Sequence, residues 1–309
     1  MSHLSWPEAG VIGALQGVSE LFPISSLGHS VLLPAWVGGS WARHLNVSAP
    51  ESPYLAVIVG LHVATAIALI IYFWRDWVRI IGGLVTSIAR REVRTSDQRL
   101  AWLLVLATIP VGLVGLLAEH AVRTHLAKPL AASWFLLING LILLLAEHLR
   151  QSAGDHAAAR QQEDEEEEYV DERVSGPASD ARLARLRVPP AVVIGATQIL
   201  ALAPGISRSG VTMAAGLLRG LSREDAARFA FLLATPVILA AGALKLPDLS
   251  GHLGDGIRGQ VLFGSILSGI GAYLAVRFLT RYLDRRSLRP FGVYCLIAGF
   301  ASILRFTIG

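Results

Sequence analysis

Two short stretches of this 309-residue chain carry polar groups inside otherwise apolar sequence. "QGVSELFPISSLGHS" offers Gln16, Ser19, Glu20, Ser25, Ser26 and His29; "TQILALAPGISRSGVT" offers Gln198, Ser207, Arg208, Ser209 and Thr212. Each contains a Pro/Gly/Ser break after which a new helix should start, near Ser26 and near Ser209. Helix N-termini present unpaired N–H groups and a positive dipole end. Two such termini with one guanidinium make an anion site, and phosphate is its natural guest. Arg208 is thus the expected phosphate-binding group, with the hydroxyls of Ser207, Ser209, Thr212 and Ser25 as further donors. The alternative for Arg208 is an ion pair with Glu20 that joins the two stretches. Ser26 could be a nucleophile, and His29, three residues on, would share its helix face and serve as its base. His29 could instead attack directly and carry the phosphoryl group. Glu20 is an acceptor or a ligand for an oxygen-seeking cation, Mg²⁺ or Ca²⁺. Gln16 and Gln198 are supporting amides.

These residues must be positioned by membrane-embedded helices. Hydrophobic residues make up 53% of the chain and charged residues 16%, and the mean hydropathy is +0.53. Apolar runs recur at Tyr54–Trp74, Leu100–Ala118, Pro129–Ala146, Phe229–Leu244, Gly259–Val276 and Phe291–Leu304. Each approaches the ~20 residues that cross a bilayer core as a helix. The runs are continuous rather than alternating, which excludes a β-barrel. The lone Cys295 allows no intrachain disulfide. The N-terminus, "MSHLSWPEAG", has neither a basic run nor an A-x-A site, so no cleaved signal peptide is expected. The net charge of +4 comes from arginine in loops and forms no basic stripe interleaved with aromatics, so no nucleic-acid partner is expected.

The chain repeats itself at a constant offset, 194 − 12 = 182: "VIGALQGVSELFPISSLGHS" lies over "VIGATQILALAPGISRSGVT" without a gap. Gln16 faces Gln198, Ser25 faces Ser207, Ser26 faces Arg208 and Gly28 faces Gly210. Neither half of either broken stretch is long enough to span, and a break at membrane depth must be covered by protein or line a cavity. Each copy therefore reads as a re-entrant helical hairpin, at about 8–37 and 190–218. Placing every arginine-dense loop in the cytoplasm (Arg75–Arg99, Arg219–Arg228, Arg281–Arg289) brings the two hairpins in from opposite sides. The expected fold is an all-α polytopic membrane protein, an inverted-topology repeat with six transmembrane helices and two re-entrant hairpins. Residues 1–150 form the first repeat and 189–309 the second, each a hairpin followed by three spans. Residues 151–188, with the acidic run Glu163–Glu168, read as a mostly disordered cytoplasmic linker, and deleting residues 155–180 should leave activity in detergent intact.

With those motifs in view, the chain resembles the undecaprenyl-diphosphate phosphatases, the bacitracin-resistance family. The likeness rests on "QGVSELFPISSLGH" and "PGISRSGVT", and continues through "YFWRDW", "RFAFLLATPVILAAG" and "RPFGVYCLIAG". It implies hydrolysis of undecaprenyl diphosphate to undecaprenyl phosphate and phosphate with a divalent cation. It also implies a multi-pass protein of the bacterial cytoplasmic membrane with its site open to the extracytoplasmic side. Matched by position, Glu20 is the motif's second acidic residue, Ser26 its second serine, His29 its histidine and Arg208 its phosphate-binding arginine. Gln16 stands where many members have glutamate and brings no negative charge to a metal. "GLHVATA" departs from a glutamine-containing stretch, and His62 there is either an added polar group near the site or a merely packed residue. A homodimer is compatible with this reading. The competing function is a membrane transporter or flippase for a phosphorylated lipid or small anion, which would need no nucleophile beside a base.

Overall fold

The computed structural model describes residues 4–45, 53–161, 176–250 and 256–308. Among these, every regular element is helical: α1 (Trp6–Leu21), α2 (Ser26–Val37), α3 (Gly39–His44), α4 (Pro53–Tyr72), α5 (Trp74–Arg90), α6 (Ser96–Leu126), α7 (Pro129–Gln161), α8 (Gly176–Ala184), α9 (Val188–Ala196), α10 (Arg208–Leu218), α11 (Arg223–Ser250), α12 (Arg258–Arg285) and α13 (Arg289–Ile308). A 3₁₀ segment, Thr197–Leu202, extends α9 toward the second break. The expected apolar runs fall in α4, α6, α7, α11, α12 and α13, the first reaching two residues past the end of α4. Five of these helices are long and apolar enough to cross a membrane; α4 qualifies only together with α5, from which it is bent by 87°. A second bent pair, α8 with α9 and its 3₁₀ extension, turns by 106°.

The two breaks are built alike. Ser25 has φ 69° and Gly205 φ 114°, both in the region that turns the chain sharply. Ser25 then caps α2, its Oγ accepting from Gly28 N–H at 3.2 Å, and Ser207 caps α10, its Oγ accepting from Gly210 N–H at 3.1 Å. Cap and capped residue stand at equivalent places in the repeat. The start of α1 is fixed by a different local device. Ser5 and Glu8 form a reciprocal capping box with Pro7 in the first turn.

Packing brings the tips together. α1 lies against α12 and α7 against α13. A Cβ on Gly13 would meet the Gly264 carbonyl at 2.3 Å, so glycine is what lets α1 and α12 approach this closely. Asn139, fully buried on α7, donates to the Pro23 carbonyl at 2.9 Å and accepts from Ser207 N–H at 3.0 Å. One amide thereby holds both breaks. Ser25 Oγ also accepts from Gly205 N–H at 3.1 Å, which ties tip to tip directly.

Two expectations are corrected. The arginine-rich stretch after α4 is no simple loop, because residues 74–90 form α5. The 151–188 segment is no passive linker at its ends. α7 continues to Gln161, and α8 packs into the body with Ser179, Asp180 and Leu183 buried. Asp180 accepts from Arg79 of α5 (2.6 Å) and Arg228 of α11 (2.7 and 3.0 Å), while Arg182 makes a two-point bond to Asp225 (2.7 and 2.8 Å). Buried carboxylates of this kind need ionic partners, and the partners fix the segment. The acidic run Glu163–Glu168 lies outside the described residues.

Candidate active site

Glu20 is the hub. It sits in the last turn of α1, 7% exposed, where the chain turns into the first break. Its Oε2 accepts from Gln16 Nε2 at 2.8 Å and from Ser26 Oγ at 2.5 Å, and lies 3.1 Å from His62 Nε2. Its Oε1 is paired with the Arg208 guanidinium. Gln16 one turn back on α1, a residue beginning α2, one in the middle of α4 and one beginning α10 thus converge on a single carboxylate. Arg208 and Ser26, equivalent in the repeat, occupy the first helical positions after the two breaks.

These groups line a cavity of about 260 Å³. One end is polar, with Glu20, Ser25, Ser26, His62, Gln198, Ser207 and Arg208. The rest is apolar, contributed by Ile58 and Val59 of α4, Val111 of α6, Leu202, Ile206, and Val237, Ile238, Ala241 and Gly242 of α11. Such a wall suits a ligand with a charged head on a hydrocarbon body. Beyond the capped residues Gly28 and Gly210, the first-turn N–H groups of α2 and α10 have no intrahelical partners and keep the local potential positive.

The Ser26–His29 couple is not formed. His29 Nδ1–H donates to the Ser25 carbonyl at 2.7 Å, and Nε2 lies 2.7 Å from Tyr294 Oη on α13. In the neutral ring that leaves Nε2 as acceptor of the tyrosine proton. A three-residue step leaves side chains about 60° apart around a helix. That is enough for Ser26 to reach Glu20 while His29 turns to Tyr294, with the two rings stacked at 5.7 Å. Thr212 also stays away from the cavity: its hydroxyl donates to the Arg208 carbonyl at 2.8 Å within α10. The Ser209 hydroxyl shares a bond with Ser207 at 3.1 Å and approaches the Phe22 carbonyl at 3.4 Å, so it braces the two tips.

His62, which the sequence exposed without assigning, reaches the site. Its Nδ1–H donates to the Ile58 carbonyl at 2.8 Å, as a helical histidine readily does. Its Nε2 faces a carboxylate oxygen, and a carboxylate only accepts. One proton therefore lies between His62 and Glu20, on the ring or on the carboxyl. Asn139 was legible in principle, being an amide in the middle of an apolar run.

The donor set does not fit a resident divalent cation on Glu20. Both carboxylate oxygens already have partners, the Arg208 guanidinium, the His62 ring, an amide and a hydroxyl. Among the described residues no three His, Cys, Asp or Glu side chains gather as a metal-binding group. Gln16 Oε1 and Gln198 Oε1 are buried without partners, but two neutral oxygens offer a divalent ion no charge.

Comparison with known proteins identifies the family. The family described as Bacitracin resistance protein BacA matches residues 9–301. A protein of Mycolicibacterium paratuberculosis named undecaprenyl-diphosphatase is 60% identical over 303 residues, covering 98% of each chain. Undecaprenyl-diphosphatase 1 of Frankia casuarinae is 50% identical and covered over its whole length, and undecaprenyl-diphosphatase 2 of Chromobacterium violaceum is 41% identical over 302 residues. Full-length identity at this level, together with the two motif-bearing helix breaks meeting on Glu20, places this chain in the BacA family of bacitracin resistance proteins.

Proposed function

We propose that the chain hydrolyses undecaprenyl diphosphate to undecaprenyl phosphate and phosphate, recycling the lipid carrier of cell-wall synthesis and thereby conferring resistance to bacitracin. The observation that carries this is Ser26 and Arg208, the opening residues of two facing helices, held on one carboxylate at the polar end of an apolar cavity. The diphosphate displaces Glu20 as the partner of Arg208 and draws on the free N–H groups of both helix starts. Ser26 Oγ attacks the terminal phosphorus, its proton passes to Glu20 Oε2, and the P–O bond to the prenyl monophosphate breaks. Water then cleaves the phosphoserine, releasing phosphate and restoring the hydroxyl. His29 acts as a positioning residue. Its backbone N–H and Nδ1–H both bond the carbonyl of Ser25, the residue whose left-handed turn aims α2.

In this reading the protein has six spans and two re-entrant hairpins, with arginine-dense loops in the cytoplasm and the cavity open to the extracytoplasmic side of the bacterial inner membrane. The repeats are 1–150 and 189–309, and the state is compatible with a homodimer. The divalent cation, Mg²⁺ or Ca²⁺, belongs with the diphosphate and not on Glu20. The test is phosphate release by the purified protein from undecaprenyl and farnesyl diphosphate, with and without EDTA. Release that disappears in Ser26→Ala supports the reading. Binding of the lipid with no release of phosphate would point instead to a carrier.

A further inference from the structure

α5 presents two unlike faces. Ile80, Gly83 and Ser87 are buried, and α5 packs on α6 so closely that a Cβ on Gly83 would meet the Asp97 backbone at 2.8 Å. On the other side Trp74, Val78, Ile81, Val85 and Ile88 are each more than half exposed. Steps of four, three, four and three residues align these five in one stripe. The helix is not a span. Its 17 residues rise only ~25 Å, and Arg75, Asp76, Arg79 and Arg90 lie along it. The 87° bend sets it across α4, hence along the surface of any membrane that α4 crosses. Arg79 is consumed by Asp76, Asp97 and Asp180. Arg75, Arg90 and Arg91, near the two ends of the stripe, are exposed and have no acidic partner among the described residues. Arg75 rests over the Trp74 ring at 5.3 Å, an arrangement that leaves its charge available at the edge of an aromatic anchor.

We propose that α5 is an interfacial helix that docks on anionic phospholipid, its stripe seated at the boundary between headgroups and acyl chains and its end arginines on lipid phosphates. Amphipathic helices with this division of apolar and basic residues bind that layer. Arginine near an anionic surface adds attraction that a neutral lipid does not supply. The apolar stripe alone would select no lipid; the unpaired arginines are what commit it to anionic headgroups.

Spin labels at Val78→Cys and Val85→Cys, in full-length protein in vesicles, test the placement. Cys295 is buried, so the introduced thiols label selectively, with the parent protein as control. In vesicles containing phosphatidylglycerol both labels should be more accessible to oxygen than to a water-soluble nickel chelate, at a depth of about 5–10 Å. Replacing Arg75, Arg90 and Arg91 together by Gln should make them shallower, and pure phosphatidylcholine should do the same. Chelate accessibility equal to that of a label at Thr95→Cys overturns the proposal, as does spin–spin broadening between two copies. Depths that ignore both the arginines and the lipid charge overturn the anionic assignment. If Val78→Cys does not fold, Ile81→Cys on the same stripe replaces it.

Discussion

Glu20 and Arg208 are 188 residues apart in the chain and form an ion pair at the meeting of the two broken helices, the carboxylate buried and the guanidinium half-buried. The pair is a lock and a store of binding capacity at once. It holds the tips while the site is empty, and it keeps a guanidinium aimed at the place where a phosphate arrives. Arg208→Ala should lower kcat/KM by about 10²–10³-fold or more. Because it also leaves Glu20 buried without its ionic partner, thermal unfolding in detergent should fall with it. Arg208→Lys should recover stability before it recovers rate, since an ammonium lacks the planar fork. An Arg208→Ala enzyme that keeps most of its kcat/KM would remove the phosphate assignment.

Ser26 and His29 are separated by their hydrogen bonds, one on Glu20 and the other on Tyr294. Ser26→Ala should cost at least ~10³-fold in kcat, as loss of a nucleophile does. Acid-quenched enzyme should carry its phosphoryl group on Ser26 by mass spectrometry. Tyr294→Phe should cost less than about tenfold, and His29→Gln should retain more activity than His29→Ala by preserving the bond to the Ser25 carbonyl. A phosphohistidine at position 29 would reverse the assignment.

His62 reaches the same carboxylate oxygen as Ser26. Its ring holds Glu20 in place from 3.1 Å. His62→Gln keeps a side-chain donor and should lower kcat by about tenfold, while His62→Ala should lower it by about 10²-fold, within the range for positioned proton-transfer groups. The loss should fall on kcat more than on KM. An equal loss in both variants confined to KM would show His62 to be a wall of the cavity and no more.

Asp180 ties the far end of the insertion to α5 and α11. Asp180→Ala should destabilise the protein by about 3–5 kcal/mol, because Arg228 then stays buried without this carboxylate. Deleting residues 162–175 should leave phosphate release unchanged, whereas a deletion extending through Ala184 should lower the unfolding temperature in detergent. Equal tolerance of both deletions would show that the docked helix contributes nothing.

The spans and the two breaks were legible in one dimension, whereas the helix α5 was not. The apolar runs are long because hydrocarbon demands length. Ser25 and Ser207 cap because a break places an acceptor beside free N–H groups, and α2 and α10 begin within a residue of where the repeat puts them. Glu20, Ser26 and Arg208 could be picked out because ionisable or nucleophilic groups in apolar sequence need a reason. What the tertiary structure alone decided is which groups share partners. Helical spacing suggested Ser26 with His29, but it does not know that Glu20, from the preceding helix, competes for one and Tyr294, from α13, for the other. Nor does charge along the insertion reveal that Asp180 meets Arg79 and Arg228. Hydrogen bonds and ion pairs are satisfied by whatever lies nearest in space. Nearness between residues 20 and 208, or 29 and 294, is set by how whole helices pack, which no local spacing encodes.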